Sequence, residues 1–184
     1  MSIENKISKD NAKLIVNKLV METGSNLNVD SNWIDINNII DSLYEQLPDE
    51  AFEDDIYYLI ADYLASRASY HPDFIRMASY ICVKRSHKNT SDDYIDVITE
   101  LYNNTDLNGN LKPLISSEIY EIVIMNKDKI NNILNYERDY ELDYFAIRTL
   151  ERSYLLRTHC TRDITKIIER PQHMFMRVAI EIHR

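Results

Sequence analysis

The stretch from Tyr144 to Arg184, YFAIRTLERSYLLRTHCTRDITKIIERPQHMFMRVAIEIHR, decides how the chain is read. In its first part Phe145, Ile147, Leu150 and Tyr154 recur at mixed spacing, which predicts a short helix passing into an extended run at Tyr154 to Arg157. A β-branched run from Ile164 to Ile168 follows a polar segment holding Thr158, His159, Thr161, Arg162 and Asp163, the pattern of a hairpin with a long loop. Pro171 then opens another helix, because its missing N–H costs nothing in a first turn and its φ is already helical. That helix is apolar at Met174, Phe175, Met176, Val178, Ala179, Ile180 and Ile182, hence on most of its faces. Such a helix belongs inside something larger. The sequence ends two residues after Ile182, so the cover for this helix is expected outside the chain.

Composition sets the outer bounds. A chain of 184 residues holds one domain or two small ones and can bury about 70% of its unfolded surface. Its apolar fraction of 45% and charged fraction of 28% are ordinary for a globular protein, and no apolar run is long enough to span a bilayer. The start, MSIENKISKDNAKLIV, lacks the features of a secretory signal. Two cysteines, Cys82 and Cys160, make no disulfide framework, and the expectation is a reducing, cytoplasmic setting. A net charge of -9 opposes the phosphate backbone, which argues against a nucleic-acid partner. The one dense basic cluster is Lys84-Arg85-Ser86-His87-Lys88.

Working back along the chain, helical periodicity predicts an amphipathic helix over Asn11 to Glu22, with Asp10 as N-cap and Gly24 as the C-terminal stop. Asp30 or Ser31 is expected to cap a second helix through Trp33, Ile36, Ile40, Leu43 and Leu47, with Trp33 as a core anchor. A third opens at Asp49 and closes before His71-Pro72, and a fourth carries Phe74, Met77, Ala78, Ile81 and Cys82. The polar SHKNTSDD segment reads as a turn with Ser91 as the cap of a fifth helix, which contains Tyr94, Val97, Ile98 and Leu101. NNTDLNGNLKP, from Asn103 to Pro113, concentrates turn formers and is the best boundary. Two short helices split near Asn126 follow it.

Certain residues also carry a family likeness. Thr149-Leu150-Glu151-Arg152-Ser153-Tyr154-Leu155-Leu156, followed by Glu169-Arg170-Pro171-Gln172-His173-Met174 and Met176-Arg177-Val178, resembles the segment leading into the catalytic barrel of the class I ribonucleotide reductase large subunit. Asn126-Lys127-Asp128, Asn135-Tyr136-Glu137-Arg138-Asp139, Asp143-Tyr144-Phe145 and His71-Pro72-Asp73-Phe74 are similar to that family in order and spacing. The likeness runs from about Leu27 to the last residue. It implies a mainly α chain: an ATP-cone-like helical domain over 1–102, a linker over 103–115, and over 116–184 a second helical unit with one small β-hairpin, truncated before the catalytic α/β barrel.

An ATP-cone of that family opens with a strand whose lysine, arginine and glycine hold a triphosphate, since phosphate needs cationic, well-placed donors. Here Ile7-Ser8-Lys9-Asp10 offers only Lys9, and Lys18 stands for the lysine of the following helix; these two are the candidate contacts for ATP or dATP as allosteric effector. Glu53 and Tyr57 replace a hydroxyl residue and an acid, and Glu53-Asp54-Asp55 would repel a triphosphate, so a degenerate site is expected. The family's catalytic cysteines, asparagine, glutamate and tyrosine relay lie in the barrel, so no catalytic residue is carried over and this chain alone is expected to be inactive. Cys82 reads as a buried apolar side chain, Tyr57-Tyr58 as one core and one surface residue, and His71 and His173 as structural. Cys160 with His159 lacks the further ligands a metal needs.

The resulting expectation is the regulatory and structural amino-terminal part of a ribonucleoside-diphosphate reductase large subunit. It would serve deoxyribonucleotide synthesis together with the rest of that subunit or another reductase subunit, with no nucleic-acid or membrane partner. The alternatives are a stand-alone protein that binds or titrates a reductase subunit, and an independent ATP/dATP-binding module.

Overall fold

A computed structural model of the chain describes residues 6–159 and 165–183. They form two compact units, one within 1–85 with 143–145 and the other within 86–142 with 146–184. Both are mainly helical, as the sequence predicts.

In the first unit β1 (Ile7–Ser8) pairs antiparallel with β2 (Glu50–Ala51), Ile7 opposite Ala51. The Lys9 N–H then donates to the Asp49 carbonyl at 2.9 Å, so the strand passes directly into α1 (Lys9–Asn26). Helix α1 packs on α2 (Ile36–Gln46) and α3 (Glu53–Ala65), and α4 (Pro72–Asn89) begins in this unit with proline at its first position. Val16, Val20, Leu43, Ile60, Leu64, Met77 and Ile81 are fully buried. Each such side chain contributes about 1.5–3 kcal/mol relative to an exposed one.

Four expectations are corrected here. Helix α1 starts at Lys9 and runs through Gly24 to Asn26, and the left-handed residue after it is Asn28, with φ 47°. Gly24 is a packing glycine: a Cβ there would stand 2.8 Å from Ile36 Cδ1. The cap of α2 is Asp35, whose side chain accepts the Asn38 N–H at 3.1 Å. Trp33 therefore precedes the helix instead of lying on its inner face, and it is 68% exposed, stacked on His71 with ring centroids 6.1 Å apart. Periodicity placed it in the core because a residue three before Ile36 shares a face only if the helix has already begun.

The second unit is built from α5 (Tyr94–Tyr102), α6 (Ser117–Met125), α7 (Lys127–Ile133), a 3₁₀ turn over Tyr136–Glu141, α8 (Tyr144–Ser153), the hairpin β3 (Arg157–His159) and β4 (Thr165–Ile167), and α9 (Pro171–His183). Its core is Tyr94, Val97, Ile98, Leu101, Ile115, Ile119, Val123, Ile130 and Ile168, with Met176 and Ile180 packed on it. The hairpin pairs Arg157 with Ile167 and His159 with Thr165, so β3 starts three residues later than the run that begins at Tyr154; Leu155, whose N–H reaches back to Leu150 O, is buried. Cys160, Thr161, Arg162, Asp163 and Ile164 lie outside the described residues.

The SHKN residues are helical in α4, not a turn, and Asp93, not Ser91, caps α5 by accepting the Ile95 N–H at 2.8 Å. The turn-rich segment 103–115 sits within the second unit, where Leu114 N donates to Leu101 O and Ile115 joins the core; the compact units divide inside α4.

Candidate functional site

Two groups of polar residues were singled out by the sequence, one in each unit. In the first, Lys9 and Lys18 both lie on α1, Lys18 exposed and Lys9 half-buried. Nine residues at about 100° each put them on opposite sides of the helix, roughly 13 Å apart along its axis. The structure does not bring them together.

The acids do gather. Tyr57 is buried with its phenol pushed up by that burial and then by the charges of Glu53, Asp54 and Glu22. The basic cluster of α4 is drawn into the same neighbourhood: Lys84 pairs with Glu22, and Arg85 pairs with Asp54 at 3.0 Å while lying 4.1 Å over the Tyr58 ring. These cations are therefore engaged by acids of α1 and α3, and an incoming anion would meet carboxylates. Tyr57 and Cys82 are buried as their sequence reading has it, whereas Tyr58, read as a surface residue, is half-buried under the Arg85 guanidinium.

In the second unit the motif residues converge on one buried polar hub. Glu169, fully buried, accepts Arg177 Nε at 2.6 Å and Nη2 at 3.0 Å, and also the Leu156 N–H at 2.8 Å. A fork-on-carboxylate pair of this kind is strong and geometrically specific. It ties the residue that follows α8 and its turn to the body of α9.

Beside it, Arg170 donates Nε to Thr90 Oγ1 at 3.0 Å and Nη2 to the carbonyls of His87 and Thr90 at 3.2 and 3.1 Å. It thereby satisfies carbonyls at the C-terminal end of α4 that have no helical partner, a site where a cation is also favoured by the helix dipole. This is why polar SHKN stays helical. The Arg170 guanidinium also stands 4.6 Å from the Tyr136 ring centroid.

His173 completes the hub. Its Nδ1 accepts the Arg170 N–H at 3.2 Å, so the proton of the neutral ring resides on Nε2, which donates to Tyr136 Oη at 2.8 Å; Tyr136 donates onward to Asp92 O at 2.6 Å. Burial, reinforced by the charges of Arg170 and His87, lowers the His173 pKa to about 3, and burial pushes the Tyr136 phenol up to about 12 against the pull of Arg170. Asp139, also fully buried, accepts His87 Nε2 at 2.8 Å and the Gln172 N–H at 3.2 Å. Tyr94 is pushed up by burial and then by the Glu169 charge.

This arrangement holds charge in place and exposes no nucleophile. Its chemistry is that of a fixed, neutralised network orienting α9. Among the described residues no cluster of His, Cys, Asp and Glu is placed to hold a metal ion, and no helix is long and apolar enough to cross a membrane. The outward face of α9 is open: Phe175, Val178 and Ile182, at helical spacing, are 45%, 42% and 68% exposed. Beside them a groove of about 290 Å³ is lined by Leu114, Ile115, Ile119, Val178 and Ile182 with Arg177 and Glu181.

Sequence reasoning quoted Tyr136 and Asp139 within a motif without giving them a role.

Residues 140–184 match the family described as ribonucleotide reductase, all-alpha domain. The chain is 47% identical over 125 residues to the ribonucleoside-diphosphate reductase large subunit of Plasmodium falciparum isolate Dd2, covering 68% of this chain and 15% of that protein. It is 34% identical over 156 residues to the large subunit of Trypanosoma brucei brucei, 84% of this chain and 19% of that one, and 42% identical over 127 residues to that of Vaccinia virus strain Copenhagen, 68% and 16%. The chain thus spans less than a fifth of the length of these relatives.

Proposed function

We propose, from the premise that this chain belongs to the ribonucleoside-diphosphate reductase large-subunit family over that protein's amino-terminal region, that it acts as a regulatory and structural part of such a reductase. Its contribution to deoxyribonucleotide synthesis is made together with a catalytic barrel and not by residues of its own. The observation that carries this reading is the hub: the motif residues from Tyr136, Asp139, Glu169, Arg170, His173 and Arg177 meet in one buried network, and that network presents the apolar face of α9. The partner for that face is the remainder of the large subunit.

The segment 1–102 is assigned in this reading to an ATP-cone-like module, followed by a connecting segment 103–115 and the helical domain 116–184. ATP or dATP is its effector class, with Lys9 and Lys18 as the nominated contacts. The opposite placement of these lysines on α1 and the carboxylates around Tyr57 support weak or absent binding. A reducing, cytoplasmic setting accompanies the assignment, on the ground of only two cysteines in the chain.

The test is to mix the purified chain with a large-subunit fragment of a relative lacking the matched region, add the partner reductase subunit, and assay ribonucleoside-diphosphate reduction with and without ATP and dATP. Restored turnover supports the reading. No restoration, together with inhibition of an intact reductase, would replace it with a titrating protein.

A further inference from the structure

Trp33 is the only tryptophan of the chain, and it is held on the surface by a buried carboxylate. Asp73, 6% exposed, accepts the Asp30 N–H through Oδ2 at 3.1 Å and Arg76 Nη1 through Oδ1 at 2.5 Å. The Asp30 carbonyl in turn accepts the N–H groups of Trp33 and Ile34 at 3.0 and 2.9 Å, and the Asp30 side chain accepts the Asn32 N–H at 2.9 Å. His71 is fixed from the same residue, its Nδ1 accepting the Asp73 N–H at 3.2 Å, and its ring lies 13° from parallel to the indole. Trp33 thus lies near-parallel to and offset from His71, with most of its surface exposed, on a turn that Asp73 has already ordered.

Ordering a large aromatic at an exposed position gives nothing to the core, but it removes the entropic cost that a binding residue would otherwise meet on association. The charges around it choose the ligand. Asp30 and Asp35 flank Trp33 in the sequence and are both exposed, Arg76 is already paired with Asp73, and the chain as a whole carries -9. An exposed indole with two exposed acids within three residues of it in the chain attracts a cation, and arginine, planar and weakly hydrated, stacks there best.

We propose that Trp33, stacked on His71 and with the exposed acids Asp30 and Asp35 close by in the chain, is a docking point for an arginine side chain of a basic segment in a partner protein. This site does not depend on the reductase assignment.

The test uses a fluorescein-labelled tetra-arginine peptide and the full chain, followed by anisotropy at low salt, with the intrinsic fluorescence of Trp33 as a second reporter using unlabelled peptide. Trp33→Leu leaves the net charge unchanged, so attraction by the acidic surface alone would persist in it. A three- to fivefold loss of affinity in Trp33→Leu, partial recovery in Trp33→Phe, and a saturable change of Trp33 emission in the wild type are expected. Asp73→Asn, which loosens the turn without touching the ligand, is expected to weaken binding about as much. Equal affinity of wild type and Trp33→Leu, absence of binding, or tighter binding of tetra-glutamate or ATP than of tetra-arginine would overturn the proposal.

Discussion

Glu169 and Arg177, eight residues apart across the start of α9, meet through both Nε and Nη2 on a carboxylate with no solvent exposure. Desolvating two charges is unfavourable unless each meets its partner in good geometry, and removing one alone leaves the other uncompensated. Arg177→Met should therefore cost about 3–5 kcal/mol in urea unfolding. The double variant Glu169→Met with Arg177→Met should recover part of that loss, the part not due to the Leu156 N–H left without its acceptor.

His173 gives the fold an acid limit. An unfolded histidine titrates near 6.5, whereas His173 in the fold is lowered to about 3, so between these values the unfolded chain binds the extra proton. Stability from this group is complete above about pH 6.5 and is lost as pH falls toward 3. At pH 5 the loss is about 2 kcal/mol relative to pH 7.5. Urea midpoints at the two pH values should show it, and His173→Gln, less stable at neutral pH, should show a correspondingly smaller difference.

Arg170 closes the end of α4. Arg170→Lys keeps the charge but not the fork that reaches Thr90 Oγ1 and two carbonyls together, and should cost about 2 kcal/mol. Hydrogen exchange should quicken first at the amides of the last turn of α4, around Ser86 to Asn89.

Gly24 sets a helix-propensity gain against a close contact. Alanine in place of a glycine in the last turn of a helix gains up to about 1 kcal/mol, but its Cβ meets Ile36 Cδ1 at 2.8 Å. Gly24→Ala alone should fall within about 0.5 kcal/mol of wild type. In an Ile36→Ala background, where the contact is gone, the same change should stabilise by about 1 kcal/mol.

The helices with strong apolar periodicity were legible in the sequence because their buried residues repeat at the helical period: Val16 with Leu19 and Val20, Val97 with Ile98 and Leu101, Ile119 with Val123. Their ends were less so, since ends depend on partners far along the chain. The last turn of α4 is polar in sequence and helical in structure because Arg170, some eighty residues later, takes its carbonyls. Trp33 looked like a core residue because only the Asp30 turn on Asp73 reveals that the helix begins after it. The hub was visible as motifs and hidden as chemistry: nothing in the spacing of Tyr136, Asp139 and His173 says that they share a network, because their contact is tertiary. The charge of Lys9 and Lys18 is legible in the sequence, whereas their facing depends on the start of α1 at Lys9, which is not.

Whether the remainder of a reductase large subunit covers the open face of α9 is measured most directly by calorimetric titration of the chain with a relative's large-subunit fragment lacking the matched region. Val178→Asp and Ile182→Asp, both at exposed positions, should leave the unfolding free energy within about 0.5 kcal/mol of wild type. Wild-type binding that either variant weakens at least tenfold is expected. Wild-type binding left unchanged by both variants, or no binding at all, would contradict it.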